Sequence, residues 1–313
     1  MKKRYLAFAT AAILLAGCSN EEDFIPQENL KDTPITVTAA VAELATRAGH
    51  SSSNLPETFY LTINQEGDDY DYTNVPMTKA ANDNTYTPND VKLLWEGSTA
   101  IVNATAATFS MAETPHLLAV IADQSTEAGI NGSDHLYMAS SEVTPTKDGN
   151  LPVEFSHIMS KIILTITLGN EFDSQQNPIS NVTFNGTVAQ RNYTPDSEQK
   201  WSDITGITAS DITPYTGTGD YTPIGTTVNS VATTNATAKY EVILVPQTVT
   251  AGKFAVQFTL NGTLYKWTST SEVTLASGTE YTLALTAGKD KVGITSLTSA
   301  AWGTGTGGSL KTE

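Results

Sequence analysis

The chain has 313 residues and a formal net charge of −16, and charged residues make up only 16% of it. A surface this acidic repels nucleic acid, which argues against a nucleic-acid partner. Thr, Ser, Gly and Asn are abundant, and long segments with helical periodicity are absent beyond the amino terminus. This composition favours an all-β protein of β-branched strands and Gly/Asn turns.

The amino-terminal segment predicts export from the cytoplasm. Three basic residues, Lys2, Lys3 and Arg4, precede an uncharged, mostly apolar run over residues 5–16. This run is shorter than the about 20 apolar residues that span a bilayer, so residues 1–17 are predicted to form a signal peptide. Its removal takes away those three positive charges and no negative charge, which lowers the net charge from −16 to −19.

Cys18 is the only cysteine of the chain, and it directly follows the small residues Ala16 and Gly17, as in a bacterial lipobox. We predict that Cys18 is lipidated and attaches the precursor to a membrane; an ordinary signal peptide with a chance cysteine is the alternative. With this thiol lipidated, no disulfide can form within the chain, so stability must come from burial. Residues 19–32 are polar and either form a flexible tether or, through the acidic residues 21–23, resemble the surface-export signals of Bacteroidetes lipoproteins.

A first strand is predicted over residues 35–41, where Ile35, Val37, Ala39 and Val41 alternate with smaller or polar residues and share one apolar face. Further strands are predicted at residues 58–64, 91–95, 100–105, 117–121, 153–155, 161–168, 182–184, 240–245, 254–260, 264–267, 281–285 and 294–302. The Asn-Gly pairs at 185–186 and 261–262 predict hairpins. Many short strands separated by turn signals indicate β-sandwich domains.

Arg47 lies in a stretch of small and polar residues after the first predicted strand. It is the only basic residue between Lys31 and Lys79. A trypsin-like protease would therefore find one clear target here and would leave Ala48 as the new first residue. An ordinary exposed arginine in a loop is the alternative interpretation.

The histidines do not predict catalysis or a metal site. His50, His116, His135 and His157 are widely spaced, and none has a partner at the spacing of a zinc motif. We expect His157, beside the strongest predicted strand, to be a packed histidine bonded to a backbone group.

Two other sequence patterns resemble a calcium loop and a phosphate loop but lack required features of each. Asp69, Asp71 and Thr73 match the first ligand positions of a calcium loop, but Asn74 and Ala80 stand where Gly and Glu are required. The Gly-rich tail at 303–308 is followed by too few residues for the helix of a phosphate loop. We therefore predict that the protein is not an enzyme and holds no cofactor or metal.

Five segments together are similar to the fimbrillin family of Bacteroidetes, the subunits of lipoprotein-derived pili. Residues 134–139 read D-H-L-Y-M-A, which resembles the family's D-x-L-x-A motif with one additional residue before the Ala. Residues 153–162 read V-E-F-S-H-I-M-S-K-I, as in the family's F-x-H-x-x-S-K motif. Residues 243–247 read I-L-V-P-Q, and residues 278–281 resemble a G-K-x-Y segment with Thr279 in place of the Lys. The closing strand and Trp302 complete the order. No single motif is decisive, but their shared order is specific.

The resemblance implies an all-β fold of two transthyretin-like β-sandwiches in tandem. On this interpretation residues 1–17 are the lipoprotein signal, 18–47 a propeptide, 48–152 the first sandwich and 153–313 the second. It also implies an assembly mechanism in which the strand of Ile35, Val37, Ala39 and Val41 fills a groove until an arginine-specific protease cuts after Arg47. A strand from another fimbrial subunit then replaces it, head to tail.

The resemblance places the donor strand at the carboxyl terminus. Under strict alternation one modestly apolar face is shared by Val292, Ile294, Ser296, Thr298, Ala300 and Trp302. The precursor would reside at the cell outer membrane and the product in a fimbrium on the cell surface, as shaft or tip. Cleavage argues against an anchor subunit, which would keep its lipid.

A surface lipoprotein or tip adhesin that binds glycans is the second hypothesis, with a host or bacterial surface ligand. Trp95, Trp201, Trp267 and Trp302 could offer rings for stacking on sugars. Packing within the protein is the alternative role for these rings, above all for Trp267 in a hairpin.

Overall fold

The computed structural model describes residues 30–41, 49–51, 53–67, 69–81, 83–106, 115–146, 148–172, 175–195, 197–217, 220–225, 235–289, 291–302 and 307–309. Over these residues the chain folds almost entirely into β-strands, which confirms the prediction of an all-β sandwich fold. No helix in the described part of the chain is long and apolar enough to cross a membrane.

The described residues form one short helix and a series of strands. In order they are β1 (Thr36–Val41), β2 (Thr58–Gln65), β3 (Tyr72–Lys79), β4 (Thr85–Pro88), β5 (Ala100–Ala106), β6 (His116–Ala119), α1 (Glu127–Asn131), β7 (Leu136–Val143), β8 (Asn150–His157), β9 (Ser160–Leu168), β10 (Ile179–Val188), β11 (Gln190–Tyr193), β12 (Ala209–Ile212), β13 (Tyr221–Thr222), β14 (Thr237–Leu244), β15 (Gln247–Val249), β16 (Ala255–Leu260), β17 (Thr263–Thr268), β18 (Val273–Leu275), β19 (Thr279–Gly288), β20 (Lys291–Ala301) and β21 (Gly307–Ser309).

Seven strands of the amino-terminal half close into a barrel. Their order is β1-β4-β3-β2-β5-β7-β8, and the two ends of the sheet meet because β1 pairs with both β4 and β8. Alternate residues of each strand point inward, so that Phe59, Leu61 and Ile63 of β2 are at most 1% exposed. These residues, with Phe155 and Trp95, belong to one hydrophobic core.

The carboxy-terminal half forms two facing sheets with a second core between them. One sheet has the order β13-β14-β9-β19-β20-β21 and the other β12-β10-β16-β17. Strand β9 is central: it runs antiparallel to β14 and parallel to β19. Its face of Ile162, Leu164, Ile166 and Leu168 is at most 1% exposed, as its alternation predicts.

A connection from the first half packs onto the second core. Strand β6 pairs with β11, and Leu118, Val120 and Ile130 join the second cluster of buried residues. The sheet changes between β8 and β9, at Ile158 and Met159, so the expected boundary between residues 152 and 153 lies inside β8. The periodicity of residues 153–162 does not reveal this change of sheet, because both strands are amphipathic.

The two Asn-Gly pairs have different structures. Asn261 and Gly262, with φ of 48° and 81°, form the tight turn between β16 and β17, which confirms that hairpin. The hairpin predicted at Asn185 and Gly186 is wrong, because β10 runs through both residues and shifts register there. Gly186 has φ of 85°, and a Cβ at this position would lie 2.1 Å from the Lys253 carbonyl oxygen.

The strand predicted at residues 91–95 is also wrong. This segment is irregular and has a single bridge between Pro34 and Leu94. Its apolar side chains Leu93 and Trp95 are buried through loop packing instead of a ladder. The short helix α1 was not predicted from the sequence, since one turn of helix leaves no measurable periodicity.

Candidate functional site

Strand β1 lies between β8 and β4, and it pairs with these two strands to different extents. It runs parallel to β8 over its whole length, from Thr36 opposite Asn150 to Val41 opposite Phe155. On its other side it pairs antiparallel with β4 at only two positions, Val37 and Thr38. The amino-terminal strand therefore closes the barrel, but one of its two ladders is short.

The inward side chains of β1 fill the groove between these neighbours. Ile35, Val37, Ala39 and Val41 are at most 8% exposed, so the predicted apolar face lies in the core. Burying a branched aliphatic side chain stabilises by roughly 1.5–3 kcal/mol, so the four together contribute on the order of 5 kcal/mol. Without them the groove would expose apolar surface and two unpaired strand edges.

The segment before β1 is fixed to the same side of the barrel. The Asp32 backbone N–H donates to the Trp95 carbonyl at 2.9 Å, and the Trp95 N–H donates to Thr33 at 2.9 Å. The Trp95 indole Nε1 donates to the Gly149 carbonyl at 2.9 Å. Residues 32–41 thus follow the groove as one continuous segment.

A buried carboxylate–imidazole pair lies where the two halves of the chain meet. The Asp134 carboxylate precedes β7, and its Oδ1 lies 2.9 Å from Nδ1 of His157, at the end of β8. Their side chains are 0% and 2% exposed. Burial alone would raise the pKa of Asp134, but the charge and hydrogen bond of His157 and the nearby His50 lower it below its ordinary value. The expected backbone partner of His157 is therefore corrected to a carboxylate.

The residues just after the predicted cleavage site reach this pair. Gly49 is buried, and the His50 backbone N–H donates to Asp134 Oδ2 at 2.7 Å. A Cβ on Gly49 would lie 2.9 Å from that oxygen and 3.4 Å from Trp302 Cζ2. Asp134 thus binds the segment after the cut with one oxygen and β8 with the other.

Trp302 covers the pair from the second half of the chain. Its ring stacks on His157 with a centroid distance of 3.7 Å and an interplanar angle of 4°. The Lys161 ammonium lies 5.7 Å from the centre of the same indole and 2.6 Å from a Glu241 carboxylate oxygen. The ion pair of Lys161 and Glu241 is also buried, and it joins β9 to β14.

Several predicted site residues lie outside the described residues. These are Cys18, Arg47 and Ala48. Val292 and Ile294 lie on β20, with Trp302 just beyond it, and β20 pairs along its length with β19. The prediction that these residues form a donor strand concerns the groove of a second subunit and stays a prediction.

The single face expected for the carboxy-terminal strand is corrected by a bulge. The register shifts between Ala284 and Leu285, which leaves Thr295 unpaired between Ile294 and Ser296. After the shift Leu297 takes the inward side and is 7% exposed, whereas Ser296 and Thr298 are exposed. Strict alternation holds only for a strand without this bulge.

The tryptophans do not form the sugar platform considered in the second hypothesis. Trp95, Trp201, Trp267 and Trp302 are 0%, 9%, 8% and 5% exposed, so their rings are packed within the protein. The described residues also contain no group of three or more His, Cys, Asp or Glu side chains that could hold a metal ion.

Sequence reasoning did not find the contact between Gly49, Asp134 and Trp302. Asp134, His157 and Trp302 stand within the motifs that resemble the fimbrillins, but their common location depends on the fold. A glycine and a buried acidic residue 85 positions apart give no pattern that periodicity could detect.

Comparison with known proteins places the chain in a family. A family model described as fimbrillin-like matches residues 26–302. A putative cell adhesion protein from Bacteroides uniformis is similar in structure, with a TM-score of 0.59, 17% identity and coverage of 87% of this chain and 99% of that chain. One from Bacteroides ovatus has a TM-score of 0.59, 16% identity and coverage of 87% and 98%.

The tip fimbrial protein Mfa3 from Porphyromonas gingivalis, with C-terminal truncation, is similar at 11% identity and a TM-score of 0.48, over 87% of this chain and 100% of that chain. No curated protein sequence matches. The likeness to the two Bacteroides structures shows a shared fold. Because the family model matches most of the sequence, the chain belongs to the fimbrillin-like family.

Proposed function

We propose that this chain is the precursor of a fimbrial subunit, of the shaft or the tip, that polymerises by donor-strand addition after cleavage at Arg47. One observation carries the proposal: β1 completes the barrel with buried side chains, and an isolated arginine follows Val41 by six positions. Membership of the fimbrillin-like family supports a structural role as a fimbrial subunit or adhesin and not a catalytic one.

The proposed sequence of events begins at the membrane. Lipidation of Cys18 holds the precursor at the outer membrane. An arginine-specific protease then cuts after Arg47, so that the lipid leaves with residues 18–47 and the subunit begins at Ala48. The lipid therefore serves delivery to the cell surface, and the assembled fimbrium does not depend on it.

Loss of β1 creates the binding site for the next subunit. The emptied groove has the unpaired edges of β4 and β8 and the pockets of Ile35, Val37, Ala39 and Val41. A strand from a second subunit restores both ladders and refills the pockets. Since donor and groove are different surfaces, each contact is head to tail and the product is a filament.

Strand β20 is the candidate donor. It is mostly exposed and pairs on one side with β19; on the other side, within the described residues, its ladder is with the three-residue β21. In a regular strand without the bulge, Val292, Ile294, Ser296 and Thr298 share one face. Their sizes, two branched aliphatic residues, then a small and a branched one, follow the order of the pockets that β1 vacates.

The processing step is tested with the precursor lacking its signal peptide. We expect an arginine-specific protease to release a product that begins at Ala48 and to start polymerisation, both measured by amino-terminal sequencing and electron microscopy. Arg47→Ala should abolish both, whereas Lys31→Ala serves as the matched control and should change neither. A product cut at Arg47 that never polymerises, alone or with other subunits, would contradict the proposal.

The donor assignment is tested with a peptide of residues 291–302. It should bind the cut protein and not the intact precursor, as measured by calorimetry. Ile294→Asp in the peptide should abolish binding, because it places a charge in an apolar pocket. Thr295→Asp, which faces outward in a regular strand, should bind at least tenfold more tightly than Ile294→Asp.

A glycan-binding adhesin at the tip is the second candidate function. A surface pocket lined by Arg191, Trp201, Asp203 and Thr248 offers polar groups and one edge of an aromatic residue. Structures of the same fold that are described as putative cell adhesion proteins support such a role. In electron microscopy, filaments of this subunit alone would indicate a shaft role, and monomers that cap other filaments would indicate a tip role. A glycan array to which the protein does not bind would contradict the adhesin function.

A further inference from the structure

The segment that follows the proposed cut is ordered by its own turn. Ser51 and Asn54 exchange backbone hydrogen bonds at 3.0 and 3.1 Å, and the Asn54 side-chain amide donates to the Gly49 carbonyl at 3.2 Å. The turn leads into Leu55, which is 2% exposed in the first core. Residues 49–51 and 53–55 are therefore held by contacts that do not involve β1.

Gly49 occupies a position that only glycine fits. Its φ is +91°, and a Cβ would approach Asp134 Oδ2 to 2.9 Å and the Ile243 side chain to 3.6 Å. The close approach allows the next residue, His50, to direct its backbone N–H at the carboxylate over 2.7 Å. An N–H bonded to a buried carboxylate is charge-assisted and about twice as strong as a neutral pair.

The Asp134 carboxylate is fixed in position by both parts of the chain. Its other oxygen is bonded to His157, and both side chains are excluded from solvent. Trp302 stacks on the imidazole, and its own backbone N–H donates to the Gly278 carbonyl at 2.7 Å. The barrel thus supplies Asp134 and His157, and the second half of the chain supplies the cover.

We propose that Asp134 and His157, covered by Trp302, form a binding site for the processed amino terminus of the chain. This proposal rests on the proposed cleavage at Arg47. After the cut, Gly49 and His50 remain bound to the carboxylate, while β1 leaves the groove.

The two sides of the cut are held by different chemistry. Strand β1 is held by ladder hydrogen bonds and by its side chains in apolar pockets. Another strand of similar shape can supply both the hydrogen bonds and the side chains. Gly49 and His50 are held instead at a buried carboxylate that is bonded to His157, two residues past the last pair of β1 with β8. A donor strand that fills the groove after β1 has left therefore leaves the mature amino terminus in place.

The experiment follows hydrogen–deuterium exchange of peptides covering residues 49–55, before and after cleavage. To separate it from the proposed function, a second precursor carries the recognition sequence of an unrelated protease within residues 42–47. This precursor is cut whether or not Arg47 is a natural processing site. Failure of the arginine-specific cut alone would count against the proposed function only.

We expect the His50 amide to stay protected after the cut in the wild type. In Asp134→Asn its exchange should be about tenfold faster or more, because the neutral Asn oxygen lacks the charge that strengthens this hydrogen bond. Asp123→Asn, at an exposed aspartate, is the matched control and should leave the exchange unchanged. Gly49→Ala provides a second variant that keeps the carboxylate but crowds the segment.

Two results would overturn the proposal. One is that the wild type loses protection at residues 49–55 as soon as it is cut. The other is that Gly49→Ala and Asp134→Asn keep the protection of the wild type in the cut protein. If Asp134→Asn does not fold, the Gly49→Ala result alone decides.

Discussion

Strands β1 and β9 both run parallel to one neighbour and antiparallel to another, but they are secured to different extents. Strand β9 pairs with β14 from Ser160 to Thr167 and with β19 from Ser160 to Leu168. Strand β1 is paired along its length with β8, whereas its ladder with β4 covers Val37 and Thr38 and is extended by single backbone bonds at Ile35 and Ala39. The two strands bury similar faces, so the difference lies in the second ladder.

This difference in pairing is the reason why β1, and not β9, is the strand proposed to be replaced. A strand with two full ladders cannot leave without breaking its sheet in two. In the proposed donor-strand mechanism, the barrel opens at the short ladder of β1 with β4, and the departure of β1 leaves a groove for another strand. Strand β9 has in addition the buried pair of Lys161 and Glu241, for which β1 has no counterpart among the described contacts.

The largest effect is expected from Lys161→Ala. It leaves the Glu241 carboxylate buried and unpaired, which should lower the free energy of unfolding by about 3–5 kcal/mol. Urea denaturation measures the loss. The double variant Lys161→Met with Glu241→Leu is the control and should recover most of it. A loss below about 1 kcal/mol would mean that the ion pair does not secure β9.

The next effect compares matched core truncations in the two strands. Leu164→Ala in β9 should cost about 3 kcal/mol in both the precursor and the cut protein, since Leu164 is 0% exposed. Val37→Ala in β1 should cost about 2 kcal/mol in the precursor. In the cut protein from which β1 has dissociated, Val37→Ala should have no effect. If Val37→Ala lowered stability equally in the precursor and in the cut protein, the replaceable role of β1 would be contradicted.

The third effect concerns acid stability at the junction. The pKa of Asp134 is lowered in the folded protein, so its contribution is present above the ordinary value near 3.8 and is lost as the pH falls through the lower folded pKa. Asp134→Asn should cost about 2 kcal/mol at pH 7, and this difference should shrink below about pH 4. Urea denaturation at several pH values measures it. A difference that grows in acid would show the opposite sign of linkage.

The smallest effect is expected at the short ladder itself. Tyr86 lies opposite Val37, and its hydroxyl donates to the Pro56 carbonyl at 2.5 Å. Tyr86→Phe removes this hydrogen bond, which should lower stability by about 1 kcal/mol and speed the release of β1 after cleavage. Release is followed by size-exclusion chromatography of the cut protein. Tyr265→Phe, in the second half, should lower stability without changing the release rate.

The sequence determined the features that depend on local pattern. Alternation identified both the apolar face of β1 and that of β9, because a half-buried strand requires a period of two. Asn261 and Gly262 formed the predicted turn because both residues tolerate positive φ. The family resemblance was also local, since it rested on short motifs in a fixed order.

The tertiary structure decided which partners these elements meet. The same Asn-Gly dipeptide became a bulge at 185–186, because β10 continues between β12 and β16 there. Thr295 shifted the face of β20 through a register change that no alternation predicts. Gly49, Asp134, His157 and Trp302 came together only because the barrel and the second sheet meet at this point, which depends on long-range pairing and not on neighbours along the chain.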